Sequence, residues 1–288
     1  MRKILIVTFS LLILIGFKNV SALEEDIYIT NSKGVGITEE RFLELMDAGY
    51  TLNDIYNMNK EEIDNANTDN PDIAVAVKYY KTTTTTKYGS TTHETTEVTE
   101  EEYNNSENYN NMIRASGEVN TSYKKLYASV TPSTNYAGKM TYRVYMHWKT
   151  MPKVRSNDII GMGFDSTVVS MAYTPNFKQL YTVNGYTYTS QSAYVKTFSN
   201  GAGAVFDLHD TATTLNQELT FEVNKRNANS TVTEQETAGD YAHAVETVSG
   251  STANNNYVAS PLGLSLYNAI NSKYDDMSAA NVIWTGSW

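Results

Sequence analysis

The chain has no cysteine in its 288 residues, and this absence removes several kinds of chemistry. Disulfide bonds, a thiol nucleophile, cysteine-ligated zinc and a thioether lipid anchor are all excluded. Small secreted domains usually depend on disulfides. An exported chain without them must be held together by a hydrophobic core, and this chain is long enough to bury one.

Positive charge is also scarce, with 22 lysines and arginines against 32 acidic residues and a net charge of −10. Proteins that bind nucleic acid rely on Lys and Arg to contact phosphates, and anionic lipid surfaces attract basic segments. The acidic balance therefore argues against nucleic acid as a partner and against electrostatic adhesion to lipid.

Long apolar runs are confined to the N-terminus, where Arg2 and Lys3 precede the apolar segment Ile4–Phe17. Small residues follow, and the pattern predicts a secretory signal peptide over 1–22, cleaved between Ala22 and Leu23. The alternative is an uncleaved anchor, for which the run is short against the roughly 20 residues of a membrane span. We expect bacterial export, and no transmembrane helix after signal removal.

Residues 23–70 predict a small helical head. Thr38 is a good N-cap and is followed by two acidic residues in the first turn, where the helix dipole favours them. Two further helices are predicted because a capping residue is followed three positions later by an acidic one. These pairs are Thr51 with Asp54 and Asn59 with Glu62.

Five threonines stand in a row at Thr82–Thr86, within residues 71–112. Mucin-like stalks carry proline among their threonines, and none occurs between Pro71 and Pro132. Because β-branched residues favour extended backbone, the tract and the similar run after Gly89 predict a polar β-hairpin. Disorder is the alternative. Thr99 with Glu102 predicts a short helix, and Tyr103–Met112 is the predicted linker.

Residues 113–288 alternate with period two in many short runs. In one run Tyr142, Val144, Met146 and Trp148 share a face, with Arg143, Tyr145, His147 and Lys149 on the opposite, polar face. Such patterning predicts an antiparallel β-sandwich of jelly-roll type. The segment Leu264–Met277 also suits a short helix. Further strands are predicted at 117–130, 158–164, 167–173, 193–198, 204–208, 219–225, 241–248 and 281–288.

Asn184-Gly185 is the preferred pair for a two-residue type I′ hairpin. That turn pairs Val183 with Tyr186 and Tyr181 with Tyr188, which places all four on one face. Turn chemistry and the alternation of side chains select the same register independently.

Few residues suggest catalysis. Asp207 and His209 share a strand face and could ligate a metal, but catalytic zinc takes three protein ligands. Asp207, Glu218 and Glu222 are the best candidates for a glycosidase-like carboxylate pair, which only a separation in space can define. We predict no catalytic, cofactor-binding or metal-binding residue, and no established catalytic motif is present.

The 22 tyrosines allow another role. Aromatic rings on an exposed sheet face can stack on sugars, although most serve as ordinary sheet residues.

Two membrane interpretations stay open. The final strand, with Val282, Trp284, Gly286 and Trp288 on one face, resembles the last strand of an outer-membrane barrel, and the threonine hairpin resembles in composition the inserting ribbons of β-pore-forming toxins.

Several segments resemble uncharacterised secreted proteins of Gram-positive bacteria. They are ITEERFLELMDAGYTLNDIYNMNKEEI in the head, EVTEEEY after the hairpin, WKTMPKVRSNDIIGMGF and DYAHAV. The resemblance implies export and a shared layout, and no activity.

We therefore expect an exported, non-catalytic protein, secreted or associated with the cell surface, that binds a glycan, an envelope polymer or a protein. A membrane-acting pore-former or outer-membrane barrel is the first alternative, and a carbohydrate-active enzyme is the second.

Overall fold

The structure is a computed structural model that describes residues 27–69, 73–87, 90–106, 118–191, 194–248, 257–260, 263–266, 274–277 and 279–288. The predicted signal peptide, with its cleavage between Ala22 and Leu23, lies outside these residues, as does the predicted linker after residue 106. Among the described helices, none has the length and apolar character needed to span a membrane.

The head contains the three predicted helices, and each begins at its predicted cap. Thr38 accepts a hydrogen bond from the Arg41 backbone, and both predicted capping boxes form. A small antiparallel hairpin, which the sequence analysis did not predict, precedes them. The elements of the head are β1 (Ile27–Thr30), β2 (Gly36–Thr38), α1 (Glu39–Asp47), α2 (Leu52–Asn57) and α3 (Lys60–Asn65).

The rest of the described chain is almost entirely β-structure. Its elements, in chain order, are β3 (Ala74–Lys87), β4 (Ser90–Val98), α4 (Glu100–Asn104), β5 (Glu118–Pro132), β6 (Met140–Trp148), β7 (Asn157–Phe164), β8 (Val169–Met171), β9 (Asn176–Val183), β10 (Tyr186–Ser190), β11 (Tyr194–Phe198), β12 (Gly201–Asp207), β13 (Thr214–Lys225), β14 (Glu234–Ala244), β15 (Tyr257–Ser260), β16 (Gly263–Leu266), β17 (Tyr274–Asp276) and β18 (Ala280–Thr285).

Two antiparallel sheets pack face to face, which confirms the predicted mainly β sandwich. The main sheet has the order β10-β9-β13-β6-β5-β3-β4, with β8 also paired to β13. The second sheet has the order β11-β12-β7-β14-β17, with β18 also paired to β14. The sheets approach closely at Gly239, where an added Cβ would lie 2.7 Å from the Val144 side chain. Their shared apolar core includes Val144, Trp148, Phe164 and Phe221.

Strand bounds differ from prediction mainly where apolar alternation is weak. β14 begins at Glu234, well before the predicted start at Tyr241, because Glu234–Gly239 gains its order by pairing with β18. The segment Leu264–Met277, which also suits a helix by sequence, forms β16 and β17 within its described residues.

The threonine tract is a strand, as predicted. β3 and β4 pair in register, with Thr82 opposite Thr95 and Thr86 opposite Thr91. The other edge of β3 pairs with β5 over its length. The hairpin thus belongs to the main sheet, and β-pairing crosses the predicted boundary between residues 112 and 113. A lone hairpin is marginal in water, and here the neighbouring strand supports it.

The hairpin at Asn184-Gly185 has the predicted register. Val183 pairs with Tyr186, and Tyr181 pairs with Tyr188. Both turn residues have positive φ, 52° at Asn184 and 80° at Gly185, as a type I′ turn requires.

The head covers the outer face of the main sheet. Phe42, Leu45 and Ile55 of the head form one cluster with Tyr127 and Tyr145 of the sheet. Both faces of β6 are consequently buried, so the side of that strand predicted as a polar face is an interface rather than a solvated surface.

Candidate functional site

A groove of about 1030 Å³ lies between the head and the outer face of the main sheet. One wall is formed by the loop from α1 into α2 and by α2 itself. The other is formed by the β5–β6 turn, at residues 133–139, and by the end of β8. Its polar and aromatic lining includes Tyr50, Thr51, Asn53, Asp54, Asn57, Tyr136, Thr141, Tyr173, Asn176, Thr220 and Glu222.

Two tyrosines form an aromatic pair in the groove. The ring centroids of Tyr136 and Tyr173 lie 4.4 Å apart, and the residues are 40% and 44% exposed. Lys139 Nζ lies 5.1 Å from the Tyr173 ring and donates a hydrogen bond to Asn224. An exposed ring pair of this kind offers apolar faces to a ligand while its hydroxyls stay in contact with water.

The turn that carries Tyr136 is fixed by hydrogen bonds. The Ser133 backbone donates to the Lys139 carbonyl at 2.9 Å, and the Tyr136 backbone donates to Ser133 Oγ at 3.2 Å. The Trp288 indole donates to the Gly138 carbonyl at 3.1 Å. A ring held in place before binding loses less conformational freedom when a ligand arrives.

The floor of the groove comes from neighbouring strands of the main sheet. Thr141 on β6 is opposite Glu222 on β13, and Asn176 on β9 is opposite Thr220. Alternation along the strands directs these side chains to the outer face. Burial raises the pKa of Glu222, while a hydrogen bond from its own backbone and the charge of Lys139 act to lower it.

The helical wall is held by a pair of buried charges on the sheet. Arg143 donates to the carbonyls of Met46 and Tyr50, at 2.6 and 2.5 Å. Glu218 accepts from the Leu52 backbone at 3.2 Å and lies 3.9 Å from Arg143. A cation at the end of α1 and an anion at the start of α2 suit the helix dipoles. The loop between the two helices is thereby fixed in place.

The pKa of Glu218 is raised to about 7, mainly by burial and to a smaller extent by the nearby charge of Asp54, while Arg143, the Leu52 backbone and Lys178 act in the opposite direction. Near neutral pH this carboxyl is therefore close to the midpoint of its titration.

A second polar cluster joins the head to the sheet around His147. Its Nδ1 lies 2.9 Å from Asn216 and 3.0 Å from the Tyr28 hydroxyl, and its Nε2 lies 3.1 Å from Glu39. Tyr145 also donates to Asn216, at 2.8 Å. Although burial raises the pKa of Glu39, the hydrogen bond and charge of His147 outweigh it and lower that pKa.

The two residues considered for a metal site lie at the end of β12 and just beyond it. Asp207 and His209 are both exposed. The His209 ring stacks on Tyr181 at 4.9 Å, and its Nδ1 faces Thr211 at 3.3 Å. Within the described residues, no three His, Asp or Glu side chains are grouped as metal ligands.

The three carboxylates considered for catalysis lie at different places in the structure. Glu218 is sealed under the head, Glu222 lies in the groove, and Asp207 ends β12. Glu218 and Glu222 are four residues apart on one strand, which puts their Cα atoms about 13 Å apart. Glycosidase carboxyl pairs are about 5 to 9.5 Å apart.

A second aromatic surface follows the β9–β10 hairpin. Tyr181 stacks on Tyr188 at 5.7 Å as well as on His209. Tyr186, 69% exposed, extends this surface at the turn. It lacks the concave wall that the head gives to the groove.

Sequence reasoning did not identify Tyr136 or Tyr173. They lie in the β5–β6 turn and just after β8, and only the fold brings them together. Their sole local signal is that each tyrosine stands among Thr, Asn and Pro, as turn residues do.

No protein-family profile matches the chain, and no curated protein is similar to it in sequence. The collagen-binding domain of the surface protein RspB from Erysipelothrix rhusiopathiae aligns at 10% identity and a TM-score of 0.31, over 61% of this chain and 55% of that one. The chain thus spans about half of that structure's length. A structure designated BspA_C_WT aligns at 7% identity and a TM-score of 0.30, over 73% of this chain and 85% of that one. Alignments this loose identify neither a family nor a ligand.

Proposed function

We propose that this protein is an exported, non-catalytic bacterial module, secreted or held at the cell surface, whose groove binds a neutral glycan. The observation that carries the proposal is the exposed pair Tyr136–Tyr173 opposite a wall of amides and hydroxyls. Sugars present apolar C–H faces to rings and hydroxyls to such polar groups. The signal-peptide pattern and the resemblance to secreted Gram-positive proteins support export.

The charge of the groove favours a neutral ligand. Its charged lining residues, within the described chain, are Asp54, Glu62, Asp69 and Glu222, all acidic. An anionic polymer would meet repulsion there, since recognition of phosphate or sulfate depends on Lys, Arg or clustered backbone N–H groups.

Two of these acids are occupied in structural roles. Asp54 accepts from the Thr51 backbone at 2.8 Å, and Glu62 accepts from the Asn59 backbone at 2.6 Å. Carboxylates committed to helix caps are poor candidates for proton transfer to a substrate. This supports binding without turnover.

A glycan and cell-wall polysaccharide screen on the full chain tests the proposal, followed by calorimetric titration of the best ligand. We expect Tyr136→Ala and Tyr173→Ala each to weaken binding about fivefold, because a stacked ring contributes about 1 kcal/mol. Tyr186→Ala, which removes a more exposed tyrosine outside the groove, should leave affinity unchanged.

Other outcomes would reject the proposal in distinct ways. If all three variants bind the ligand with the affinity of the wild type, the ligand binds elsewhere on the protein. Leakage of liposomes, turnover of a polysaccharide, or binding to proteins alone would replace it with a pore-forming, enzymatic or protein-binding function.

A further inference from the structure

The sandwich core contains a lysine and an aspartate in direct contact. Lys124 of β5 and Asp275 of β17 come from opposite sheets, and their side chains are 0% and 6% exposed. The distance from Lys124 Nζ to Asp275 Oδ2 is 2.8 Å. Lysine is almost never fully buried in proteins, and a buried ion pair contributes little net stability because both charges lose their hydration. Stability alone therefore does not explain this pair.

Two further ionisable groups lie beside it. Asp158 on β7 and His243 on β14 are buried and hydrogen-bonded, Oδ1 to Nδ1, at 2.8 Å. His243 is also the cross-strand partner of Asp275. An acid, an imidazole and a second acid thus lie on three neighbouring strands of the second sheet, on the side from which Lys124 approaches.

The surroundings of the pair are aromatic and closed to water. Lys124 Nζ lies 4.9 Å from the centre of the Trp148 ring, and Trp148 donates to the Tyr241 hydroxyl at 3.1 Å. Thr82, from the threonine tract, donates to the same Asp275 oxygen at 2.7 Å. Both reacting groups are thereby held in one geometry.

We propose that Lys124 and Asp275 condense into an intramolecular amide bond, which ties β5 covalently to β17. The groups meet the conditions for this reaction: an amine and a carboxyl in contact, fixed in place, and shielded from the water that would reverse the reaction. Holding two reactants in contact is equivalent to a very high local concentration.

The reaction balances without an oxidant or cofactor. A proton moves from Nζ to Oδ2 along the hydrogen bond, which leaves the net charge unchanged and gives a neutral amine and a carboxylic acid. The amine attacks Cγ, so that an N–C bond forms. A proton from nitrogen then reaches the departing hydroxyl, the C–O bond breaks, and one water leaves. Burial lowers the pKa of Lys124, although the charges of Asp275 and Asp158 oppose this, and a lowered amine pKa favours the first step. Burial acts to raise the pKa of Asp275, but the charge and hydrogen bond of Lys124 outweigh it and lower that pKa, which opposes the transfer.

His243 and Asp158 are positioning residues in this scheme. The imidazole next to Asp275 offers a route for the proton that moves from nitrogen to oxygen, and Asp158 fixes the ring. The Thr82 hydroxyl polarises the carboxyl group that is attacked.

The chain carries its own matched comparison at the next residue. Lys125 points to the outer face and pairs with Asp47 at 3.0 Å, nearly the same distance as in the core. The Asp47 side chain, however, is 48% exposed. Lys125 is itself only 5% exposed, but water reaches and stabilises the Asp47 carboxylate, so we expect no condensation at this pair.

Intact-mass measurement and a tryptic map of the full chain test the proposal. We expect the folded protein to lack the mass of one water molecule. Trypsin would then release residues 115–125 joined to residues 274–288, in place of two separate peptides. Lys124→Met and Asp275→Ala should restore the full mass, and Lys125→Met should leave the water loss intact.

The wild-type map decides the question even if the core variants fail to fold. A folded wild-type chain of full mass, with the two peptides separate, would overturn the proposal, and so would a water loss mapped to any other residue pair. For the positioning role, His243→Gln and Asp158→Asn should slow the loss of water in a time course after refolding and change its pH profile. Unchanged kinetics would remove both residues from the scheme.

Discussion

The main sheet packs its inner face against the second sheet and its outer face against the head, and the side chains at the two contacts differ in kind. On β6 the inner residues Val144, Met146 and Trp148 belong to a largely apolar core. The outer residues Arg143 and His147, from the same strand, are equally buried and are held by hydrogen bonds to the head.

The two contacts contribute differently: the inner one mainly stabilises the fold, and the outer one mainly fixes the position of the head. Apolar burial is non-directional, so it holds two sheets together without specifying a fine position. Hydrogen-bonded charges are directional, and they are costly unless each finds its partner. The outer contact therefore positions the head, and with it the wall of the groove opposite Tyr136 and Tyr173.

The largest test of this comparison uses adjacent residues that point to opposite faces. Arg143→Met leaves the carbonyls of Met46 and Tyr50 without their donor and the Glu218 carboxylate without its neighbouring cation. We expect it to lower the free energy of unfolding by about 3 to 5 kcal/mol. Val144→Ala, a truncation in the inner core, should cost about 2 kcal/mol.

Urea denaturation of both variants supplies the values. If the arginine variant proves the milder of the two, the outer charges do not carry the contact, and the head must be held by its apolar cluster around Phe42.

The second test is the pH dependence that Glu218 brings to the outer face. Its pKa in the folded protein is raised from 4.5 to about 7. A carboxyl with a raised pKa contributes stability that is fully present below its unfolded pKa and is lost as the pH rises through the folded one. Between these two values we expect the wild type to lose up to about 3 kcal/mol relative to Glu218→Gln, which cannot ionise.

Urea titrations of both proteins at pH values across this window measure the difference. Parallel stability curves would mean that Glu218 titrates normally, and hence that the head does not seal it from water.

The elements that sequence predicts well are those fixed by local chemistry. The caps at Thr38, Thr51 and Asn59 need only neighbours a few residues away, and the Asn184-Gly185 turn fixes its own hairpin. Alternation likewise assigns each side chain of a strand to one of two faces. It does not tell which elements cover the second face, because that depends on contacts between distant segments. For this reason His147 was expected on a polar face and lies in a sealed interface.

The period-two alternation of side chains does mark the buried charged residues in the sequence. Lys124 is in phase with Leu126, Ala128 and Val130, and Asp158 is in phase with Ile160, all of which point into the core. A charge on the apolar phase of a strand predicts a buried partner of opposite charge. Which partner it is cannot be read from the sequence, because Asp275 lies 151 residues from Lys124.

The smallest test concerns the rim of the outer contact. Asp47→Asn removes the charge that pairs with Lys125, in a geometry as close as that of a buried pair. Because water reaches the Asp47 carboxylate and screens it, we expect a loss of only about 0.5 kcal/mol in the free energy of unfolding, which salt reduces further. Urea denaturation in low and high salt measures both effects. A loss above about 2 kcal/mol would mean that the exposed edge of the outer contact contributes strongly to the free energy of unfolding. The expected difference between this edge and the sealed Arg143–Glu218 pair at the centre would then be wrong.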